Sequence, residues 1–87
     1  MPRIKKTIMI KNRQGLHARP ATLFVQIANK FDSIITVKKG KDVVNGKSIM
    51  GLLMLGAEKG SIIQLQAEGD DAYQAIAELE SFLLMEE

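Results

Sequence analysis

The sequence contains no cysteine. Disulfide bonds, thiolate nucleophiles and cysteine-based zinc or iron-sulfur sites are therefore excluded, and a small core has to rest on packing alone. The absence also fits a reducing compartment. Proline is scarce too, with only 2 residues, which leaves long stretches free for regular secondary structure.

Net charge is low, and no long apolar run is present. The formal charge is +2 and the lysines are scattered, so nucleic acid is not the expected partner. The one tyrosine, Tyr73, falls in the last predicted helix, where it cannot stack on a base as a strand aromatic would. No segment approaches the roughly 20 apolar residues of a membrane span, and residues 1–15 lack the apolar core of a secretory signal. We therefore expect a cytoplasmic protein that does not insert into a membrane.

The overall amino-acid composition is that of a globular protein. Hydrophobic residues make up 46% and charged residues 25% of the 87 positions, which argues against disorder. This length suits one small domain, and neither a linker nor an internal repeat divides it. We expect a single domain over residues 1–87.

Four segments have the patterns of β-strands. The isoleucines of residues 4–11 keep to one face of a strand. Two β-branched runs, 34–37 and 43–44, are separated by a lysine-rich turn that contains a glycine, which predicts a hairpin. Residues 61–67 alternate between two sets of side chains, so one face of the sheet is expected to meet solvent.

Two further segments have helical patterns. Apolar residues recur at helical spacing over residues 18–31, with polar residues on the opposite side. The segment "SIMGLLML" follows Lys47 and is read as a two-turn helix. Ser48 is its expected N-cap, and Gly56 is the glycine that ends it.

The last helix follows "GD" near residue 70. Asp70 or Asp71 is its expected cap, and acidic charge in its first turn suits the helix dipole. Its acidic end, Glu86 and Glu87, suits the dipole badly and is expected to fray. The predicted buried stripe consists of Ala72, Ile76, Leu79 and Leu83.

The element order is therefore β-α-β-β-α-β-α. A four-stranded sheet with one solvent face has to place its helices on the other face. The expected fold class is α+β, an open-faced β-sandwich in which three helices cover one face of a four-stranded antiparallel sheet.

The stretch "GLHARPA", residues 15–21, contains the only histidine. His17 stands directly before the first helix, at the N-cap, where free amides and the positive end of the dipole surround its ring. The positive potential favours a neutral imidazole, whose nitrogen lone pair is a nucleophile. A phosphoryl group on that nitrogen would be stabilised by these amides and by Arg19. Pro20 fits a first turn, and Gly15 lets the preceding loop approach closely.

Other roles for His17 are open at this point. Metal binding would need carboxylate partners, because no cysteine is present, and the nearest acid along the chain is Asp32. A Ser-His-Asp hydrolase is not excluded by spacing, although the sequence has no nucleophile elbow. The simplest alternative is a histidine that only caps the helix or lies in a loop.

The second feature is the apolar segment at residues 48–55. A short helix on a two-layer fold buries only one side, so some of its large apolar residues have to be exposed. The candidates are Ile49, Met50, Leu52, Leu53 and Met54. An exposed patch with two flexible methionines suits docking of several partners, although core packing is the alternative for each residue taken singly. Phosphorylation of Ser48 would add negative charge beside this patch and oppose docking.

These two motifs closely resemble the histidine-containing phosphocarrier family, HPr, of the bacterial phosphoenolpyruvate-dependent phosphotransferase system. "GLHARPA" matches the family's active-site signature, and "NGKSIMGLLMLGAEKG" matches its serine-centred signature. The resemblance covers nearly the whole chain and implies the same open-faced fold. It also implies a phosphoryl carrier that is a substrate of enzymes rather than an independent catalyst, with no metal and no other cofactor.

The resemblance assigns roles to individual residues. It implies that His17 accepts a phosphoryl group on Nδ1 from enzyme I and passes it to the IIA domains of sugar permeases, with Arg19 assisting at the phosphate. Ser48 matches the site used by the HPr kinase/phosphorylase, and a catabolite-control regulator is then a further partner. The implied docking surface includes Ile49, Met50, Leu53 and Met54. We expect the chain to be a monomer.

One departure leaves the pathway open. Met54 is more apolar than the small polar residue often seen there in sugar-type members, and at this position the chain resembles the nitrogen-related paralogue, NPr. The retained His17 argues against the carbon-repression variants, which lack it. The alternatives to a sugar-type carrier are a nitrogen-related regulatory phosphocarrier and a regulatory binding module controlled through Ser48.

Overall fold

The seven predicted elements follow one another in the predicted order. The computed structural model describes residues 1–85. The elements are β1 Arg3–Met9, α1 Ala18–Ala28, β2 Ile34–Lys39, β3 Asp42–Asn45, α2 Ile49–Leu55, β4 Ile62–Glu68 and α3 Ala72–Met85. None of the helices in this part of the chain is long and apolar enough to cross a membrane. The predicted fraying at Glu86 and Glu87 lies outside the described residues.

The strands form a four-stranded sheet in the order β1-β4-β2-β3, and every neighbouring pair is antiparallel. This confirms the predicted sheet and the predicted hairpin. In the middle of the sheet, Ala67 of β4 lies opposite Ile4 of β1 on one side and Ile35 of β2 on the other. β2 and β3 are joined by a tight turn at Gly40, whose φ of 60° lies in the left-handed region that glycine tolerates.

The alternation along the strands gives the sheet one buried and one exposed face. On the buried face, the side chains of Ile35, Ile63 and Leu65 are at most 1% exposed and join a core to which the helices add Phe24 and Leu79. Helix α3 packs on β1 and β4, helix α2 packs on β2 and β3, and helix α1 packs against both other helices. The predicted fold class is confirmed.

Helix α1 ends at Ala28 rather than at the predicted residue 31. The N–H groups of Lys30 and Phe31 donate to the carbonyls of Ile27 and Ala28, three residues back, which is tighter than the α-helical spacing. Phe31 nevertheless packs against the core. Its apolar side chain therefore continues the helical pattern after the helix itself has ended, which explains the difference.

The start of α3 differs from the prediction in how the Asp71 carboxylate is used and in the charge of the first helical turn. Asp71 stands directly before the helix, and its backbone carbonyl accepts from the N–H of Ala75 at 2.9 Å. Its carboxylate, however, accepts from the N–H groups of Asp32 at 2.8 Å and Ser33 at 3.0 Å, and from the Ser33 hydroxyl. The prediction of acidic charge in the first turn of α3 was wrong, because Asp70 and Asp71 both precede the helix, which begins at Ala72.

The predicted buried stripe of α3 is confirmed. It consists of Ala72, Ile76, Leu79 and Leu83.

The hydrogen bonds of the Asp71 carboxylate predict a pH dependence of stability. The Ser33 hydroxyl, and next the Asp32 amide, hold the pKa of Asp71 below its ordinary value of 3.8. A carboxyl whose pKa is lowered by folding stabilises the fold above its unfolded pKa, and this stabilisation is lost as the pH falls through its folded pKa. We expect Asp71→Asn to lower the Tm at pH 7, and the difference from the parent to shrink below about pH 4.

The measurement is thermal unfolding followed by circular dichroism at pH 7 and at pH 3. Asp70→Asn is the matched control, because the side chain of Asp70 is exposed and makes none of the hydrogen bonds found within residues 1–85. An equal loss of Tm at both pH values would show that the Asp71 charge does not contribute.

Candidate functional site

His17 is the N-cap residue of α1, as predicted. Its backbone is extended, with φ −86° and ψ −169°, and its carbonyl accepts the first helical hydrogen bond, from the N–H of Ala21 at 2.9 Å. The side chain makes no capping hydrogen bond and is half-buried. The imidazole therefore makes no hydrogen bond that caps α1, and His17 acts as the N-cap through its backbone alone.

The loop before His17 is a closed turn. The side-chain amide of Asn12 donates to the carbonyl of Gly15 at 2.5 Å, and the N–H of Gly15 donates to the carbonyl of Asn12 at 3.2 Å. Asn12 is only 3% exposed, which is rare for an asparagine. The sequence reasoning missed this residue, although asparagine at the first and glycine at the fourth position of a turn were a usable signal.

Gly15 brings this loop against the segment that follows α2. Its φ is 67°, and a Cβ at this position would lie 2.2 Å from the carbonyl oxygen of Ala57 and 2.8 Å from Cα of Glu58. The next residue, Leu16, donates its N–H to the same Ala57 carbonyl at 2.8 Å. The close approach at Gly15 is thus made to the backbone of Ala57 and Glu58, and it joins the histidine motif to the end of the second motif.

The segment after α2 is itself held in place. Gly56 ends α2 in the left-handed conformation, with φ 65°, as predicted. The ammonium group of Lys39 donates to the carbonyl of Gly56 at 3.1 Å, and the hydroxyl of Ser61 accepts from the N–H of Glu58 at 2.9 Å. The backbone that supports the His17 loop is therefore fixed by β2 and by the start of β4.

The first turn of α1 presents donors and positive charge next to His17. The amides of Ala18 and Arg19 precede the first helical hydrogen bond, so they lack a partner within the helix. Pro20, the third helical residue, is buried and has no N–H to lose. Arg19 is exposed, takes part in none of the ion pairs within residues 1–85, and has no acidic neighbour in this turn. This arrangement suits an anion.

The described residues offer little to a metal ion at this site. Within residues 1–85, no group of three histidine, cysteine, aspartate or glutamate side chains is placed to hold a metal. Asp32, the acid nearest along the chain, instead lies in the loop that Asp71 binds, after the opposite end of α1. The geometry around His17 therefore favours an anion over a cation.

Ser48 is the N-cap of α2, as predicted. Its hydroxyl accepts from the N–H of Gly51 at 2.9 Å. The neighbouring Lys47 donates its ammonium group to the carbonyl of Phe31 at 2.6 Å. The Ser48 side chain is half-exposed at the beginning of the same helix whose end supports the His17 loop.

Helix α2 buries one side and exposes the other. Leu52 is fully buried and Leu55 is 4% exposed, so these two leucines anchor the helix. Four large apolar side chains remain exposed and are called the α2 surface. They are Ile49 at 40%, Met50 at 65%, Leu53 at 37% and Met54 at 77%. The expected exposed patch is present, and of the five candidates only Leu52 belongs to the core.

Known proteins resemble this chain over most of its length. The family model described as the PTS HPr component phosphorylation site matches residues 4–84. A phosphocarrier protein HPr of Neisseria meningitidis is 47% identical over 76 residues, which cover 87% of this chain and 85% of the relative. The HPr-like protein Crh of Halalkalibacterium halodurans is 46% identical over 80 residues, which cover 92% of this chain and 95% of the relative.

Solved structures share the fold. HPr-C-His of Thermoanaerobacter tengcongensis matches with a TM-score of 0.90 and 52% identity, covering 93% of this chain and 91% of the other. An HPr dimer of the same organism matches with a TM-score of 0.75 and 53% identity over 88% of each chain. The family model and these relatives, which match over most of the chain, show that the chain belongs to the HPr family of phosphocarriers of the phosphotransferase system.

Proposed function

We propose that the chain carries a phosphoryl group on His17, which it receives from enzyme I and passes to IIA domains. The observation that carries this proposal is the position of the imidazole. It stands at the N-terminus of α1 with its nitrogens unused by the helix, beside two amides that lack helical partners. Membership of a phosphocarrier family supports the same role.

The transfer is a displacement at phosphorus. The lone pair on Nδ1 of His17 forms the new N–P bond, and the bond between phosphorus and the donor group of enzyme I breaks, leaving its electron pair on that donor. The phosphoryl oxygens then accept from the amides of Ala18 and Arg19, and the Arg19 guanidinium adds a charge-assisted hydrogen bond. The reverse geometry releases the group to a IIA acceptor. The chain acts as a substrate in both steps and not as an independent catalyst.

The α2 surface is the proposed docking site for both partners. It begins beside Ser48, and α2 ends at the segment that binds the His17 loop, so a partner seated on it lies near the reacting nitrogen. Its exposed apolar area has to stay uncovered for this role, which favours a monomer as the active form. We place the protein in the cytoplasm, where enzyme I and the IIA domains operate.

A regulatory role for Ser48 is the second proposed function. Phosphorylation by an HPr kinase/phosphorylase would place a dianion directly beside Ile49 and Met50, where it opposes docking on an apolar surface. The phosphorylated face would then suit a catabolite-control regulator. The half-exposed hydroxyl at the edge of the α2 surface supports this proposal.

The carrier role predicts an acid-labile phosphate. Incubation with enzyme I and phosphoenolpyruvate should label the parent and leave His17→Ala unlabelled, because the accepting nitrogen is gone. Arg19→Ala should be labelled about tenfold more slowly, since one charge-assisted hydrogen bond contributes on the order of 1.5 kcal/mol. Label that persists in His17→Ala would rule out His17 as the carrier.

The pathway is assigned by comparing two donors. Purified sugar-type and nitrogen-type enzyme I are tested side by side, and the one that phosphorylates the parent faster indicates the pathway.

The docking role predicts a rate effect without a loss of fold. Met54→Asp should slow phosphorylation by enzyme I at least about tenfold, because an unpaired charge would be desolvated in the complex, while the Tm changes little at a site that is 77% exposed. Met85→Asp, at 76% exposure on α3, is the matched control and should react at the parent rate. Equal rates for the two variants would place the docking site elsewhere.

The regulatory role is tested by substitutions that keep the helix cap. Asp and Asn cap helices about as well as Ser, so Ser48→Asp adds a charge and Ser48→Asn does not. We expect enzyme I to phosphorylate Ser48→Asn at the parent rate and Ser48→Asp several-fold more slowly. Labelling of the parent by a purified HPr kinase/phosphorylase, with no labelling of Ser48→Asn, completes the test. The regulatory role fails if the kinase leaves the parent unlabelled and both variants react alike.

A further inference from the structure

All five methionines of the chain lie at the surface. Their exposed fractions are 83% for Met1, 48% for Met9, 65% for Met50, 77% for Met54 and 76% for Met85. None of them belongs to the core, so none fills a gap there as methionine commonly does. The chain also has no cysteine, which makes these thioethers its most oxidisable groups.

Two of the five lie together on the α2 surface. Met50 and Met54 are four residues apart on α2, so their side chains are neighbours on one helix face. Both are more exposed than Ile49 and Leu53, the other members of the surface. The two methionine side chains are therefore the part of the α2 surface that a diffusing oxidant and a docking partner both reach most easily.

We propose that Met50 and Met54 form a redox modification site that switches the α2 surface between docking and non-docking states. The oxidant is a peroxide. In the reaction with hydrogen peroxide, the thioether sulfur attacks one peroxide oxygen, the O–O bond breaks, a sulfoxide forms and the second oxygen leaves as water. Sulfur loses two electrons and the peroxide gains two. This inference rests on the proposed docking function and adds a regulation to it.

The modification changes docking because a sulfoxide oxygen is a strong hydrogen-bond acceptor. An apolar partner surface cannot satisfy that acceptor once water is excluded, so the complex is disfavoured while the free chain is not. Two such groups on adjacent turns place the penalty in the middle of the α2 surface. We expect oxidation of both to slow phosphorylation by enzyme I about tenfold or more.

The fold should tolerate the change, which makes the site a switch rather than a lesion. Leu52 and Leu55 anchor α2 from its buried side, and Ser48 and Gly56 cap its ends, so neither methionine holds the helix in place. Reversal needs an external dithiol reductase, because the chain has no thiol. Two thiols are oxidised to a disulfide, and the sulfoxide oxygen leaves as water.

The other methionines provide matched controls within the same molecule. Met9 lies on the exposed face of the sheet, opposite Ile62 of β4, and Met85 is the last residue of α3. Both belong to elements other than α2. Their oxidation should therefore leave docking unchanged.

The experiment compares three proteins before and after hydrogen peroxide: the parent, Met50→Leu/Met54→Leu, and Met9→Leu/Met85→Leu. Peptide mass spectrometry identifies the sulfoxides, and the readout is the initial rate of phosphorylation by enzyme I with phosphoenolpyruvate. We expect peroxide to slow the parent and Met9→Leu/Met85→Leu about tenfold or more, and to leave Met50→Leu/Met54→Leu at its untreated rate. A methionine sulfoxide reductase should restore the parent rate.

A small phosphoryl donor distinguishes a loss of docking by enzyme I from damage to the phosphorylation site at His17. Phosphoramidate phosphorylates imidazoles without a protein partner, so the oxidised parent should accept from it at the rate of the reduced parent. A parent that carries both sulfoxides and still reacts normally with enzyme I overturns the inference alone, as does an oxidised Met50→Leu/Met54→Leu that is slowed equally. A reduced parent that enzyme I does not phosphorylate overturns the proposed function and this inference with it.

Discussion

The contact between Gly15 and Ala57 is the constraint on which the site depends. The backbone of the histidine loop lies so close to the end of α2 that no side chain fits between them, and the Leu16 amide is bonded to the carbonyl it meets there. Position 15 requires glycine for two reasons: its φ is positive, and a Cβ would collide with the Ala57 carbonyl oxygen. This single approach fixes where His17 stands relative to the α2 surface, although the two motifs are far apart in sequence.

The same contact brings two helix ends near each other. The N-terminus of α1 carries partial positive charge and the C-terminus of α2 carries partial negative charge, and the loop brings them together. The Lys39 ammonium group bonds the Gly56 carbonyl at the negative end and offsets its charge. The first turn of α1, with the exposed Arg19 and no acidic residue, directly follows His17.

Local patterns in the sequence were sufficient to predict the order of the helices and strands and the position of His17 at the start of α1. Period-two alternation located the strands, and Ser48 and Gly56 bounded α2, because caps act within one helical turn. What sequence could not supply were contacts between distant segments. The Asp71 carboxylate binds Ser33, 38 positions away, and so accepts from a buried residue of a distant loop instead of from the amides of its own helix. Nothing in the local pattern around Asp71 distinguishes these two uses.

Helix α2 shows how one short element can be anchored in the core and still present large apolar side chains at the surface. Two leucines attach it to the core, and its capped ends fix its length. Of the four side chains of the α2 surface, Met50 and Met54 are mostly exposed, whereas Ile49 and Leu53 are mostly covered. Substitutions of Met50 and Met54 therefore leave the core packing unchanged. Met54 is the most exposed of the four side chains, at 77%. A substitution at residue 54 can therefore alter the exposed surface of α2, while the contact between Gly15 and Ala57 keeps the His17 loop in place.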